Sequence, residues 1–176
     1  KEWWGKRDVV TLITRPRRFG KTLNMSMLDC FFSNKYANRA DLFEGLSIWQ
    51  DETYRKLQGT YPVIFLSFAA VKAGNLEDAK TQIKQEITRL YWENRNLMKE
   101  DIFGEDEREL YYRTTVKMDD VTAQDSLRNL SVWMERYYGK KVIILLDEYD
   151  TPMQEAYVQG YWDEFTSFVR SLFNAS

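Results

Sequence analysis

Residues 9–23 read Val-Val-Thr-Leu-Ile-Thr-Arg-Pro-Arg-Arg-Phe-Gly-Lys-Thr-Leu, and no other stretch limits the architecture of this chain as strongly. Val9, Val10, Thr11, Leu12 and Ile13 are mostly apolar, and all but Leu12 are β-branched, as suits a buried strand. Arg15 to Arg18, with Pro16 among them, form a tight basic loop, after which Leu23, Met27 and Phe31 recur at helical spacing. Gly20-Lys21-Thr22 at the helix start is the end of the phosphate-binding pattern G-x-x-x-x-G-K-[ST]. In that pattern backbone N–H groups wrap the phosphates, while Lys and Thr serve the terminal phosphate and Mg²⁺. Arg15 stands where the pattern has its first glycine. Pro16 has no N–H to give, so the expected donors are Arg18, Phe19, Gly20, Lys21, Thr22 and Leu23, with the helix dipole aimed at the anion. The bare tripeptide would occur by chance in roughly one chain in ten of this length. Its weight therefore comes from the strand before it and the helix after it.

Length and charge narrow the setting. A chain of 176 residues with 44% hydrophobic side chains suffices for one domain, 1–176, with its own core. A net charge of −2 provides no general attraction to nucleic acid or anionic lipid. The absence of His removes the commonest general base, and a single cysteine, Cys30, excludes an intrachain disulfide and a cysteine-based zinc cluster. Chemistry must then run on carboxylates, Lys, Arg and hydroxyls. No apolar run approaches the roughly 20 residues of a membrane span, and Lys1-Glu2-Trp3-Trp4 is not a signal peptide, so the expected compartment is the cytoplasm. The first residue is not Met, which suggests that sequence has been removed upstream.

Along the chain, Trp3 and Trp4 are read as an apolar flap over the core in preference to an adenine-stacking pair. The first helix is expected to run to about Phe32 with Leu23, Met27, Cys30 and Phe31 on its buried stripe, which makes Cys30 a core thiol. Residues 33–58 are irregular, with aromatic anchors at Tyr36, Phe43 and Trp49. A second strand is expected over 61–68, with Pro62 at its tolerated start. Asn75 followed by Asp78 opens a helix carrying Leu76, Ala79, Ile83, Ile87, Leu90 and Tyr91 on one face. Residues 94–120 read as a charged helical insertion, in which Glu105, Asp106, Glu107 and Glu109 form a solvated face without function. Thr122 is the expected cap of a helix bearing Leu127, Leu130, Met134 and Tyr137, and Gly139 its terminator. Residues 142–146 predict a strand buried on both faces, and after Thr151-Pro152 a polar stretch leads to a last helix marked by Trp162, Phe165, Val169 and Leu172.

Asp147 and Glu148 end that later strand, where α/β folds place ligands. Acidic residues also end buried strands simply because the chain is leaving the core, so the pair by itself is no better than even for metal binding. Beside Gly20-Lys21-Thr22 it gains a role: Thr22 and Asp147 on Mg²⁺, Lys21 on the β and γ phosphates, and Glu148, on the neighbouring position, polarising a water. Asp150 reads as a turn residue. Arg15, Arg17 and Arg18 suit a triphosphate, a partner's acidic surface or nucleic-acid backbone, and at least one of them is expected merely to be solvated.

Residues 11–26, 61–68 and 143–152 resemble three sequence blocks of the AAA-ATPase-like family of bacterial and archaeal ATP-binding proteins, and Arg-Pro-Arg-Arg-Phe-Gly-Lys-Thr is that family's form of the loop. The resemblance spans nearly the whole chain and accounts for Arg15. It implies an α/β fold: a P-loop NTPase with three α/β/α layers, a mainly parallel sheet of the additional-strand class, and ATP with Mg²⁺ as ligands. It implies ATP hydrolysis, with Glu148 and Lys21 catalytic, and in longer members a nuclease-like region beyond. In such ATPases the strand after the Asp-Glu pair inserts between the loop strand and the Asp-Glu strand. The chain stops at Ser176 after one more helix, so it is expected to be the N-terminal part of that domain, with efficient turnover waiting on the missing strand, sensor and arginine finger. Three other readings remain beside hydrolysis: a nucleotide-gated module that binds ATP and signals to a protein partner or a second copy, phosphoryl transfer to an acceptor, and nucleic-acid binding through the arginines.

Overall fold

The computed structural model describes residues 4, 10–12, 20–99 and 101–174. The chain divides into two compact units with the boundary between Val63 and Ile64. Val9, Ile13, Arg15, Pro16, Arg17, Arg18, Phe19 and Trp3 lie outside the described residues.

In the first unit, helix α1 spans Lys21–Phe32, the range that the periodicity predicts. Its burial differs from the expected stripe. Leu23 and Met27 are 66% and 47% exposed and Cys30 is half-buried, whereas Phe31 and Phe32 are buried. The helix inserts its last turn, not its length, into an aromatic cluster. Phe31 meets Phe32 and Phe43 edge-on at centroid distances of 5.0 and 5.1 Å, and Phe43 stacks on Trp49. Trp4 stacks on Phe32 at 4.9 Å and meets Tyr61 edge-on, in line with an apolar flap. The segment between is built of short turns at Asn34–Tyr36 and Ala40–Phe43 and a single helical turn, α2, at Glu52–Arg55, capped by the Asp51 side chain.

The chain then returns alongside the end of α1. Gly59 N–H donates to the Phe31 carbonyl (2.8 Å), Tyr61 N–H to that of Phe32 (2.9 Å), and Asn34 N–H to that of Tyr61 (2.9 Å). The first two bonds satisfy carbonyls that a helix C-terminus leaves unpaired. The approach demands glycine at position 59: its φ is +66°, and a Cβ there would stand 2.4 Å from the Ala37 Cα. The expected first strand is absent where it can be seen. Residues 10–12 join no ladder, and Val10 and Leu12 are 84% and 63% exposed. A strand is held by bonds to a neighbour, and the sheet among the described residues has only two strands, neither of them this one.

In the second unit a small parallel sheet pairs β1 (Val63–Ser67) with β2 (Ile143–Asp147), giving a mixed helix and strand structure compatible with the α/β class. Parallel strands need a long crossover, here made of α3 (Leu76–Glu93), α4 (Glu105–Arg113) and α5 (Asp120–Tyr138). Helix α3 buries Ala79, Ile83, Ile87, Leu90 and Tyr91 as its pattern predicts, and the Asn75 side chain caps it by accepting from Asp78 N–H at 2.9 Å. Helix α5 buries Leu127, Leu130 and Met134 and ends at Gly139 in the left-handed region, but its cap is Asp119, which accepts from Thr122 N–H at 2.7 Å. The Asp119 carboxylate takes the capping place because Thr122 is already inside the first turn. Tyr137 stays 37% exposed.

The stretch after β2 is helical, not irregular: α6 (Asp150–Gln159) carries Pro152 in its first turn and ends at Gly160, and α7 (Trp162–Asn174) follows. Phe165, Phe168, Val169 and Leu172 of α7 are buried while Trp162 is 41% exposed. Helix α7 packs on α5, α6 and α3, and α5 also packs on α3. Strand β2 is less covered than expected: Leu145 and Asp147 are buried, but Ile143, Ile144 and Leu146 are half-buried. One strand neighbour among the described residues leaves its other edge without a ladder.

The acidic run on α4 is not wholly a solvated face. Glu107 accepts both guanidinium arms of Arg136 (2.8 and 3.0 Å), the Trp133 indole N–H (3.2 Å) and Gly104 N–H (3.1 Å). Arg136 foremost, with the Gly104 and Trp133 donors, holds its carboxyl down to about 2 against the opposing effect of burial. A second charged cluster ties α3 to the start of α5, where Lys80 and Lys84 each reach Asp120 at 2.8 Å.

Two substitutions test these assignments. Gly59→Ala should lower stability by more than the roughly 1–2 kcal/mol of left-handed strain, because the clash with Ala37 adds to it. Gly45→Ala, at φ +83° with open space around it, should cost the strain alone in urea unfolding. Because the Glu107 carboxyl is depressed, its contribution is present above the ordinary carboxylate value near 4.5 and is lost as pH falls toward about 2. Glu107→Gln should therefore be less stable than the parent at neutral pH, by on the order of 1 kcal/mol, and the difference should close over that acid window.

Candidate functional site

The residues that the sequence marks for phosphate and metal chemistry lie in both units. In the first, Gly20 is left-handed with φ +74° and precedes α1 without any side-chain cap. Asn24 closes the first turn from inside, donating to the Gly20 carbonyl from its N–H (2.9 Å) and from its side-chain amide (2.8 Å). That clasp pins the carbonyl and leaves the first-turn N–H groups facing outward, which is how a helix start receives an anion. Lys21 is half-buried, and Thr22 and Leu23 are exposed. Arg18 and Phe19, the first two expected donors, are outside the described residues. The sequence pointed to the loop and missed Asn24, because an Asn one turn into a helix carries no motif of its own.

In the second unit, Asp147 is the last residue of β2 and 4% exposed. Its carbonyl accepts from Phe68 N–H at 3.0 Å, so the end of β1 fixes the backbone of the acid. No buried side-chain oxygen among the described residues is left without a partner, so the Asp147 carboxylate is not a sealed, unsatisfied group. Glu148 follows with φ +54°, the one non-glycine residue with positive φ among the described residues. Such a backbone costs about 1 kcal/mol or more and is concentrated at functional sites. Glu148 is half-buried, and one of its carboxylate oxygens accepts from the Thr151 hydroxyl at 3.3 Å, while Thr151 N–H donates to its carbonyl at 3.1 Å. Asp150 is the first residue of α6, not a turn residue. Neither the left-handed glutamate nor its threonine partner was visible in the sequence, since Gly or Asn is the ordinary signal for that backbone.

Other candidates resolve as structure. Burial and then the charge of Asp29 push the Cys30 thiol up, away from the reactive thiolate. Among the described residues no three His, Cys, Asp or Glu side chains converge as a metal cluster, so a cation here would need ligands from hydroxyl, carboxylate and the phosphates themselves, the usual manner for Mg²⁺. The Thr22 hydroxyl in the first unit and the Asp147 carboxylate in the second are each oxygen donors, the kind that such an ion takes. No described helix is long and apolar enough to cross a membrane.

Comparison with known proteins gives one match. The family model described as AAA-ATPase-like, predicted AAA-ATPase, matches residues 5–176. No curated protein and no solved structure matches the chain.

The placement of Asp147 by its backbone has a measurable consequence. Asp147→Asn should hold or raise the thermal stability of the ligand-free protein, because no described ion pair is lost. Leu145→Ala, two residues earlier on the same strand and 4% exposed, should cost about 2–5 kcal/mol.

Proposed function

The chain belongs to the AAA-ATPase-like family of predicted AAA-ATPases, and from that premise we propose that it binds ATP with Mg²⁺ and hydrolyses it in a P-loop domain of three α/β/α layers. The observation that carries this reading is the end of β2: a buried aspartate whose backbone is fixed by the end of β1, followed at once by a glutamate held in left-handed backbone. Residues 1–176 form the domain in this reading, with 94–120 as its charged helical insertion.

The roles follow from the side chains. Backbone N–H groups from Arg18 to Leu23 receive the phosphates, and the Lys21 ammonium neutralises the β and γ oxygens. The Thr22 hydroxyl and the Asp147 carboxylate are the residues that would hold a Mg²⁺ ion in this reading. When bound, Mg²⁺ offsets the charge that builds on the phosphates. Glu148 orients a water and takes its proton. The water oxygen forms a bond to the γ phosphorus as the bond to the β–γ bridging oxygen breaks, leaving ADP and inorganic phosphate. Adenine as the base is taken from the family and from no residue of the loop.

Calorimetric titration with Mg·ATP and a phosphate-release assay test the assignment. Lys21→Ala should abolish binding. Glu148→Gln should bind as the parent does and lose turnover by about 10²–10⁴-fold, the usual worth of a positioned base. Parental turnover in Glu148→Gln would overturn the mechanism, and parental binding in Lys21→Ala the site.

A further inference from the structure

We infer that Thr151 is a positioning residue for Glu148: its hydroxyl fixes the carboxylate of the water-activating glutamate, and the rate of ATP hydrolysis depends on that bond. The inference rests on the reading of Glu148 as the base. Three features between Glu148 and Ala156 support it. Glu148 has φ +54°, a conformation without intrinsic preference for a non-glycine residue, so its side chain needs local restraint. The Thr151 hydroxyl donates to Glu148 Oε2 at 3.3 Å, and the Thr151 N–H donates to the Glu148 carbonyl at 3.1 Å. One threonine thus bonds both the backbone and the side chain of the same glutamate. Thr151 stands in the first turn of α6, whose Pro152 and Ala156 are buried. The hydroxyl is therefore carried by a packed helix and not by a loop.

The chemistry explains why a hydroxyl is useful there. A carboxylate with one oxygen engaged has the other left to accept the proton of water, and a side chain held in one rotamer presents that oxygen without a search. The Thr151 hydroxyl donates and touches no reacting atom, so its effect passes through Glu148. Removing it should slow the proton-transfer step and leave ATP affinity unchanged.

The test uses the full protein chain and steady-state phosphate release with Mg·ATP. Thr151→Val, which keeps the shape and removes the donor, should lower kcat about tenfold with KM within about twofold, and Thr151→Ser should restore most of it. Thr151→Ala, favourable in a helix, serves as a second deletion should the valine disturb folding. In a Glu148→Gln background, Thr151→Val should have no further effect on residual turnover, because the group it positions is gone. Parental kcat in both deletions, or the same fold loss persisting in the Glu148→Gln background, overturns the positioning role while leaving the ATPase reading intact. Turnover that does not depend on Glu148, or no turnover at all in a parent that binds Mg·ATP, overturns the reading and the inference together.

Discussion

The second unit depends on one pairing, that of β1 with β2. Two strands of five residues, far apart in sequence, lie parallel, and the Phe68 N–H to Asp147 carbonyl bond closes their C-terminal end. Parallel pairing cannot be made by a tight turn, so the chain between the strands must leave the sheet and return. That detour is a cost in loop-closure entropy until apolar surface is buried by it. Ile83 and Ile87 of α3, Leu127 and Leu130 of α5, and Phe165 and Leu172 of α7, all fully buried, provide that burial. The place of Asp147 is therefore set by the core.

What could be read in the sequence follows from how local each determinant is. The α3 helix was legible from Asn75 to Tyr91 because cap, acidic first turn and apolar stripe are all encoded within the helix. Gly139 was legible for the same reason, since a left-handed cap needs only its own residue. The α1 stripe was misread because burial there comes from the aromatic side chains of Phe43, Trp4 and Tyr61, contributed by segments outside the helix. Helix α6 was missed because its buried residues, Pro152 and Ala156, make no apolar stripe. Residues 10–12 show the converse error: β-branched composition proposes a strand, but only a neighbour makes one.

The candidate site divides in the same way. Gly20, Lys21, Thr22, Asp147 and Glu148 are candidates from residue type and spacing, which point to chemistry directly. Asn24 and Thr151 are not, because each acts through a hydrogen bond to a neighbour, to the Gly20 carbonyl and to the Glu148 carboxylate. Glu107 falls between: its charge is evident in the sequence, but its partner Arg136 lies 29 positions along the chain. A run of carboxylates on one helix turn reads as solvated until another helix brings a guanidinium to one of them.

Asp147 and Glu148 differ in how the fold treats them, and the difference is informative. The core places Asp147 through its backbone, by the Phe68 N–H bond to its carbonyl. Glu148, one residue on, carries backbone strain, and its carboxylate is bonded to the Thr151 hydroxyl. Strain in a loop could relax by small movements. At the end of β2, followed directly by α6, it cannot relax without disturbing the β1–β2 pair.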